Sequence, residues 1–187
     1  MEQEAFGRML VEHCAPTLAG IKTGSMFSCS RLPPGKLEGM VASWNNSVRA
    51  KGLRLALLKS GGERALVYVY REKQLLADLM EEGVWAFLHG CGYRARSVEG
   101  CLAWLCERLK LANAFPHEIG LFLGYPLCDV EGFVRHAGRN CVCGGCWKVY
   151  GNAEEALRRF RRFNKCRAVY KKLYNSGRSI LQLAVAA

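Results

Sequence analysis

Residues 115–126 read FPHEIGLFLGYP, and this stretch decides the predicted fold. From 117 to 124 the odd-numbered side chains share one face of an extended chain and the even-numbered side chains share the other. A run this short and this apolar is typical of a central strand that is buried on both faces. Pro126 has no N–H group and therefore ends the strand. We predict a strand over residues 117–124 and a helix after it, with Asp129 in its first turn and Gly138 at its end.

Glu118 is the unusual residue of this predicted strand, because burying an unpaired carboxylate costs several kcal/mol. One interpretation pairs Glu118 with one of the chain's many arginines. The other places a site at the joint between strand and helix, where Glu118 and His117 act as ligands, acid or base and Tyr125 contacts the ligand. The first two side chains point to opposite faces of a regular strand, so a joint site requires a β-bulge.

Three segments carry a resemblance to a known family. They read HCAPTLAGIKTGSMFSC from residue 13, PHEIGLFLGYPLCDVEGF from residue 116 and CWKVYG from residue 146. Over nearly its full length the chain resembles a bacterial domain-of-unknown-function family, numbered 3793. The resemblance implies no particular activity. Members of that family are common in anaerobic Gram-positive bacteria, so the resemblance implies a thiol-rich cytosolic protein.

Length and composition indicate a globular protein. The chain has 187 residues, of which 50% are hydrophobic and 23% charged, so it can bury a sizeable core as one domain over residues 1–187. Its first residues are acidic, and no apolar run approaches the roughly 20 residues of a membrane helix. We expect a cytoplasmic protein without membrane contact. Its ten cysteines are then expected to be free thiols or metal ligands.

The remaining periodicities predict an α+β domain, in which several helices pack on a small mixed or antiparallel sheet that includes a β-hairpin. The predicted strands are residues 53–58, 65–70 and 146–150, with a hairpin loop at 60–63, and residues 21–29 are predicted to be a short strand or an extended loop. The predicted helices are residues 4–14, 36–50, 72–89 with a break near Gly83, 97–112, and a basic helix at about 153–174.

The last helix carries most of the net charge of +11. Asn152 and Glu155 form a capping arrangement at its start, and no acid follows Glu155. The predicted basic surface contains Arg158, Arg162, Lys165 and Lys172. Such a surface is a solvated face, or it binds nucleic acid or an acidic partner such as a flavodoxin-like redox protein. The aromatic residues of this helix fall on its apolar stripe, which disfavours a base-stacking platform.

Cys141, Cys143 and Cys146 form a Cys-x-Cys-x-x-Cys motif. Thiolates at such spacings hold zinc or an iron–sulfur cluster when they converge on one soft ion. A four-ligand site also needs a fourth donor, for which His136 and Cys166 are candidates. The alternative is a cysteine-rich turn with reduced, unligated thiols.

A second candidate site lies near the N-terminus. His13 next to Cys14 is a candidate catalytic pair, although a cysteine at the electronegative end of a helix is a poor thiolate. Lys22, Thr23 and Ser25 are candidates for binding an anion such as a phosphate. Their spacing is not that of a P-loop. The alternative is a helix-to-strand connection with solvated polar groups.

The sequence names no reaction. It favours an enzyme or redox accessory protein that binds a small anionic or redox ligand at a thiol-containing site. This hypothesis predicts that His13, Cys14, Lys22, His117 and Glu118 converge in space. The alternatives are a binding module that uses the basic helix and a structural protein stabilised by metal.

Overall fold

The structure is a computed structural model that describes residues 2–30, 35–60, 64–111 and 115–186. The helices are α1 (Glu2–Leu18), α2 (Lys36–Val48), α3 (Glu72–Met80), α4 (Glu82–Gly90), α5 (Val98–Leu111), α6 (Ile119–Phe122), α7 (Leu127–His136), α8 (Ala153–Asn175) and α9 (Ile180–Leu183). The strands are β1 (Gly24–Ser30), β2 (Leu53–Lys59), β3 (Arg64–Arg71), β4 (Cys143–Gly144) and β5 (Lys148–Val149). The predicted α+β fold class is confirmed.

The main sheet has three antiparallel strands in the order β1-β3-β2. The predicted hairpin of β2 and β3 is confirmed, with Leu55 opposite Val69. Its predicted loop falls mostly on residues 61–63, which lie outside the described residues. β1 pairs with the other edge of β3, with Phe27 opposite Val67. A separate two-stranded sheet joins β4 to β5.

The predicted central strand over residues 117–124 is wrong. This segment folds as a tight turn around α6, in which Leu121 N–H donates to the Glu118 carbonyl at 3.0 Å and Tyr125 N–H donates to the Gly120 carbonyl at 3.0 Å. Gly124 has a φ of +72°, which a strand does not allow. The periodicity misleads because a short apolar run that is buried on all sides reads the same in a strand and in a helical turn.

Two further boundaries differ from the prediction. α1 continues through Pro16 to Leu18, four residues beyond the predicted end. Pro16 lacks an N–H group, so the helix loses one backbone hydrogen bond at this position. The Pro16 carbonyl still accepts a hydrogen bond from Ile21 N–H at 3.0 Å. The predicted strand at 146–150 is reduced to β5. The basic helix occupies its predicted position, and Asn152 caps it by accepting from Glu155 N–H at 3.1 Å.

The sheet divides the core into two clusters. Val67 and Val69 pack with α1, α2 and α9, whereas Tyr68 and Tyr70 pack with α3 to α7, as strand alternation requires. A third cluster holds the β4–β5 hairpin against α8, which in turn packs along α1. Within the described ranges, none of the helices is both long and apolar enough to cross a membrane.

Candidate functional site

A cavity of about 280 Å³ lies where α1, the start of β1, the turn after α6, and α8 meet. We call it the cationic cavity. Its lining residues are Glu12, His13, Lys22, Ser25, Met26, Leu123, Tyr125 and Arg167. The cavity therefore combines two cations with one carboxylate, one imidazole, hydroxyl groups and a small apolar wall.

Close packing of backbones positions this wall. A Cβ atom on Gly24 would overlap the Phe122 carbonyl and the Tyr68 hydroxyl, and that hydroxyl donates to the same carbonyl at 2.5 Å. A Cβ atom on Gly124 would lie 2.7 Å from the Thr23 hydroxyl. Glycines at both positions let the turn after α6 lie directly on β1, which brings Tyr125 to the cavity.

Lys22 is the most unusual residue of the cationic cavity, because its side chain is only 6% exposed. Its ammonium donates to the Gly24 carbonyl and lies 5.4 Å from the centroid of the Tyr125 ring. In the described part of the chain, no carboxylate lies within ion-pair distance of it. Burial lowers the pKa of Lys22 to about 8, so the side chain is mostly charged at neutral pH.

Other polar groups of the cavity are held by short contacts. The Ser25 and Thr17 hydroxyls lie 2.8 Å apart, and Arg167 donates to Asn164 Oδ1 at 2.9 Å. The Tyr125 hydroxyl donates to the Cys146 carbonyl at 3.3 Å. Burial raises the pKa of Tyr125 to about 12, so the phenol stays neutral. Lys22, Ser25 and Arg167 are thus the donors available to a ligand.

His13 and Cys14 are adjacent in sequence, but one lies at the surface of α1 and the other in the core. His13 is exposed at the edge of the cavity, with its ring stacked 5.6 Å from the Phe27 ring. Cys14 is fully buried, and burial raises the pKa of its thiol to about 12. A thiol that stays protonated at neutral pH is a weak nucleophile. This environment favours packing as the role of Cys14, and its catalytic role stays a prediction.

Thr23 and Glu118 lie away from the cavity lining. The Thr23 hydroxyl donates to Asp78 on α3. Glu118 is 3% exposed and forms an ion pair with Arg108 at 2.9 Å, while the Tyr93 hydroxyl lies 3.4 Å from the same carboxylate oxygen. The interpretation that pairs Glu118 with an arginine is confirmed. A catalytic role for Glu118 stays a prediction.

His117 lines a second cavity, of about 460 Å³. We call it the aromatic cavity. Its lining includes the aromatic side chains of Phe115, His117, Tyr125, Phe133 and Trp147. Tyr125 lines both cavities. Of the five residues predicted to converge, His13 and Lys22 share the cationic cavity, His117 lines the aromatic cavity, and Cys14 and Glu118 line neither.

Asp129 connects α7 to the β4–β5 hairpin and the residues that follow it. Its carboxylate accepts from Trp147 Nε1 at 2.7 Å, from Tyr150 N–H at 2.7 Å and from Gly151 N–H at 2.8 Å. The sequence identifies Asp129 only as a first-turn residue of a helix. Three donors from another segment are a tertiary feature, and no local pattern indicates them.

The three thiols of the Cys-x-Cys-x-x-Cys motif, Cys141, Cys143 and Cys146, are half-buried and free. Among the residues that the structure describes, no group of three or more His, Cys, Asp or Glu side chains has the arrangement to hold a metal ion. Cys146 instead places its sulfur 3.8 Å from the Arg167 guanidinium. Zinc or iron–sulfur ligation by these thiols stays a prediction.

The helix α8 presents cations on two sides. The four residues of the predicted basic surface are exposed, namely Arg158, Arg162, Lys165 and Lys172, and Arg158 pairs with Glu154 at 2.9 Å.

Arg159 and Arg167 turn inward instead. Arg159 donates to the Gly124 carbonyl at 3.0 Å and lies 5.3 Å from the Trp147 ring. Sequence reasoning missed both, although each lies four residues from Phe163 and thus on the buried stripe of the helix.

Comparisons with known proteins add one finding. A family model described as a protein of unknown function (DUF3793) matches residues 10–184. Searches of curated proteins and of solved structures produced no significant match.

Proposed function

The chain belongs to the DUF3793 family of proteins of unknown function, and we propose that it binds a small oxyanion in the cationic cavity. The observation that carries this proposal is the burial of Lys22 beside a cavity, without a carboxylate partner in the described residues. A buried charge is costly unless it is paired and hydrogen-bonded. An anion in the cavity supplies the missing partner.

The donor set supports an oxyanion. A lysine ammonium has three donors, and the Gly24 carbonyl occupies one of them. Ser25 and Arg167 line the same space, and charge-assisted hydrogen bonds to such groups are strong. Met26 and Leu123 form an apolar part of the lining. The volume of about 280 Å³ favours a small anionic group over a large ligand.

The proposed role of the cationic cavity is to bind an anion, and a reaction of that anion is a separate question. If the bound anion reacts, His13 is the side chain at the cavity that is suited to move a proton. Cys14 stays a neutral thiol behind the cavity wall, so it adds packing and no negative charge beside Lys22.

Isothermal titration with phosphate, sulfate and acetate tests this function. We expect at least one of the three anions to bind, and we expect Lys22→Met and Arg167→Met each to weaken that binding by about tenfold or more. The control Lys59→Met removes an exposed lysine at the end of β2 and leaves affinity unchanged. Equal affinity in Lys22→Met and the unaltered protein rejects the cavity as the site.

A second candidate function uses the basic surface of α8 for nucleic acid. In the described part of the chain, Arg162, Lys165 and Lys172 have no carboxylate partner, so their charge is available to phosphates. The 23 residues of α8 form a rod of about 34 Å, long enough to follow a phosphate backbone.

Duplex binding at several salt concentrations tests this second function. We expect affinity to fall steeply with salt, and we expect a triple Gln variant of Arg162, Lys165 and Lys172 to reduce the salt slope by about three. A matched triple variant at Arg49, Lys59 and Lys73, which are also exposed, serves as the control. Unchanged binding by the α8 variant assigns the basic surface to another partner, such as an acidic protein, or to solvent.

A further inference from the structure

The aromatic cavity has the construction of a ring-binding site. Trp147 donates from Nε1 to Asp129 at 2.7 Å, stacks on the Tyr125 ring at 4.7 Å and meets the Phe160 ring edge-on at 4.5 Å. These contacts hold the indole in place before any ligand arrives. Phe115 lines the same cavity and is 53% exposed. A rigid aromatic wall with an exposed ring beside it suits a planar aromatic ligand.

A third cavity, of about 630 Å³, adjoins the aromatic cavity. We call it the arginine groove. Its lining residues are Gly144, Gly145, Cys146, Leu157, Phe160, Arg161, Asn164 and Arg167. Gly144 and Gly145 also line the aromatic cavity, and Arg167 also lines the cationic cavity. Shared lining residues therefore place the three cavities next to one another at the β4–β5 hairpin, and we call them the cavity series.

The boundary shared by the aromatic cavity and the arginine groove consists of Gly144 and Gly145. A Cβ atom on Gly145 would overlap the Phe160 ring, so packing requires glycine there. A Cβ atom on Gly144 would have no heavy atom of the described residues within 4 Å, and Gly144 does not have a positive φ. Neither packing against the described residues nor backbone conformation demands glycine at 144. The open space beside it is available to a ligand.

We propose that the anion is part of a nucleoside phosphate, whose base lies in the aromatic cavity and whose phosphate reaches Arg167. This inference rests on the proposed function and names the ligand class of the same site. Two observations select this class. A planar base matches the aromatic wall. A phosphate joined to that base through the sugar matches the cations of the neighbouring arginine groove. Arg161 and Lys148 add positive charge at the groove and at the aromatic cavity, respectively.

The test compares four nucleoside 5′-monophosphates (AMP, GMP, CMP and UMP) with inorganic phosphate and adenosine by isothermal titration. We expect at least one nucleotide to bind about thirtyfold more tightly than phosphate, because stacking adds to the anion contacts. The substitution Gly144→Leu places a side chain at the boundary that the two cavities share. It should reduce nucleotide affinity to that of phosphate and leave phosphate affinity unchanged.

Two variants keep this test independent of folding defects. Gly39→Leu is the matched control, because Gly39 on α2 is also exposed and has no heavy atom of the described residues within 4 Å of its added Cβ. It should change neither affinity. Phe115→Ala removes an exposed ring of the aromatic cavity and should weaken nucleotide binding by about tenfold, without weakening phosphate binding.

The outcomes separate this inference from the proposed function. Nucleotides that bind no more tightly than phosphate, or that bind Gly144→Leu as well as the unaltered protein, overturn the nucleotide inference and leave the anion site standing. Nucleotide binding that is lost in Arg167→Met but retained in Lys22→Met rejects the cationic cavity as the anion site and, with it, the assignment of the nucleotide's phosphate to that cavity. Absence of binding by phosphate, sulfate, acetate and all four nucleotides rejects both.

Discussion

Arg71 and Lys22 are both buried cations, and the fold compensates their charges in different ways. Neither has a carboxylate within ion-pair distance in the described residues. Arg71, at the end of β3, is 4% exposed and donates to four main-chain carbonyls. These carbonyls belong to Thr17, Leu18, Lys51 and Val185. Two of them lie at the C-terminal end of α1, where the helix dipole favours a cation.

Lys22 donates to a single carbonyl, that of Gly24, and borders a cavity. The difference teaches how to read a buried cation. Where carbonyls from several segments use most of its donors, as at Arg71, the cation ties those segments together. Where donors remain and open space adjoins them, as at Lys22, the cation is placed to bind a ligand.

Removal of the Arg71 guanidinium is expected to give the largest effect. Arg71→Met loses four hydrogen bonds to carbonyls and weakens the connection between the end of α1 and the C-terminal segment, which keeps the bond from Val185 N–H to the Leu18 carbonyl at 3.0 Å. We expect the free energy of unfolding to fall by about 3 kcal/mol, as measured by urea denaturation.

Arg49→Met is the control for this prediction, because Arg49 is an exposed cation and its loss should cost less than about 0.5 kcal/mol. Equal effects of the two substitutions would remove the distinction between a cation that ties segments together and a solvated one.

The pH dependence of anion binding is the next largest effect. Burial lowers the pKa of Lys22 to about 8, and the anion site needs the charged form. Sulfate keeps a constant charge over this range, so its affinity should fall by about tenfold between pH 7 and pH 9 as Lys22 loses its proton. Titrations at fixed ionic strength measure this slope. The residual binding of Lys22→Met should be independent of pH, and a parallel decline in both proteins would assign the titration to another group.

The smallest expected effect is a change in the free energy of unfolding that has the opposite sign from that of Arg71→Met. Lys22→Met removes a buried charge, so we expect it to raise the free energy of unfolding by about 1 kcal/mol at pH 7. The folded pKa of about 8 lies below the ordinary value of 10.5, so the unfolded chain binds more protons between these values. The cost of burying the charge is therefore complete below pH 8 and disappears as the pH approaches 10.5.

Urea denaturation of both proteins from pH 7 to pH 10.5 measures this difference. Burial raises the pKa of Cys14 to about 12, against a smaller opposing effect of Lys22, so above pH 9 this thiol lowers the stability of both proteins and lowers that of Lys22→Met more. A loss of stability in Lys22→Met at pH 7 would instead place Lys22 in the same structural class as Arg71.

Local patterns predicted the elements that depend on local rules. The β2–β3 hairpin follows from two alternating runs joined by a glycine-rich loop, and α8 follows from its Asn152 cap and apolar stripe. The strand prediction for residues 117–124 was wrong because a local pattern was the wrong guide there. An alternating pattern identifies a strand only when one face is buried and the other is exposed, and this segment is buried on both sides. Its glycines instead allow close packing with Tyr125 and Thr23.

The sequence by itself determined the α+β class and the concentration of cations in the last helix, and it named Lys22, Thr23 and Ser25 as candidates for an anion site. Only the tertiary structure decided that Lys22 and Ser25 share a cavity with Tyr125 and Arg167, that His117 lines a different cavity, and that Glu118 pairs with Arg108. The physical reason is distance along the chain. Propensity, capping and periodicity act over a few residues, whereas the cationic cavity brings together residues from positions 12 to 167, whose meeting depends on how whole elements pack.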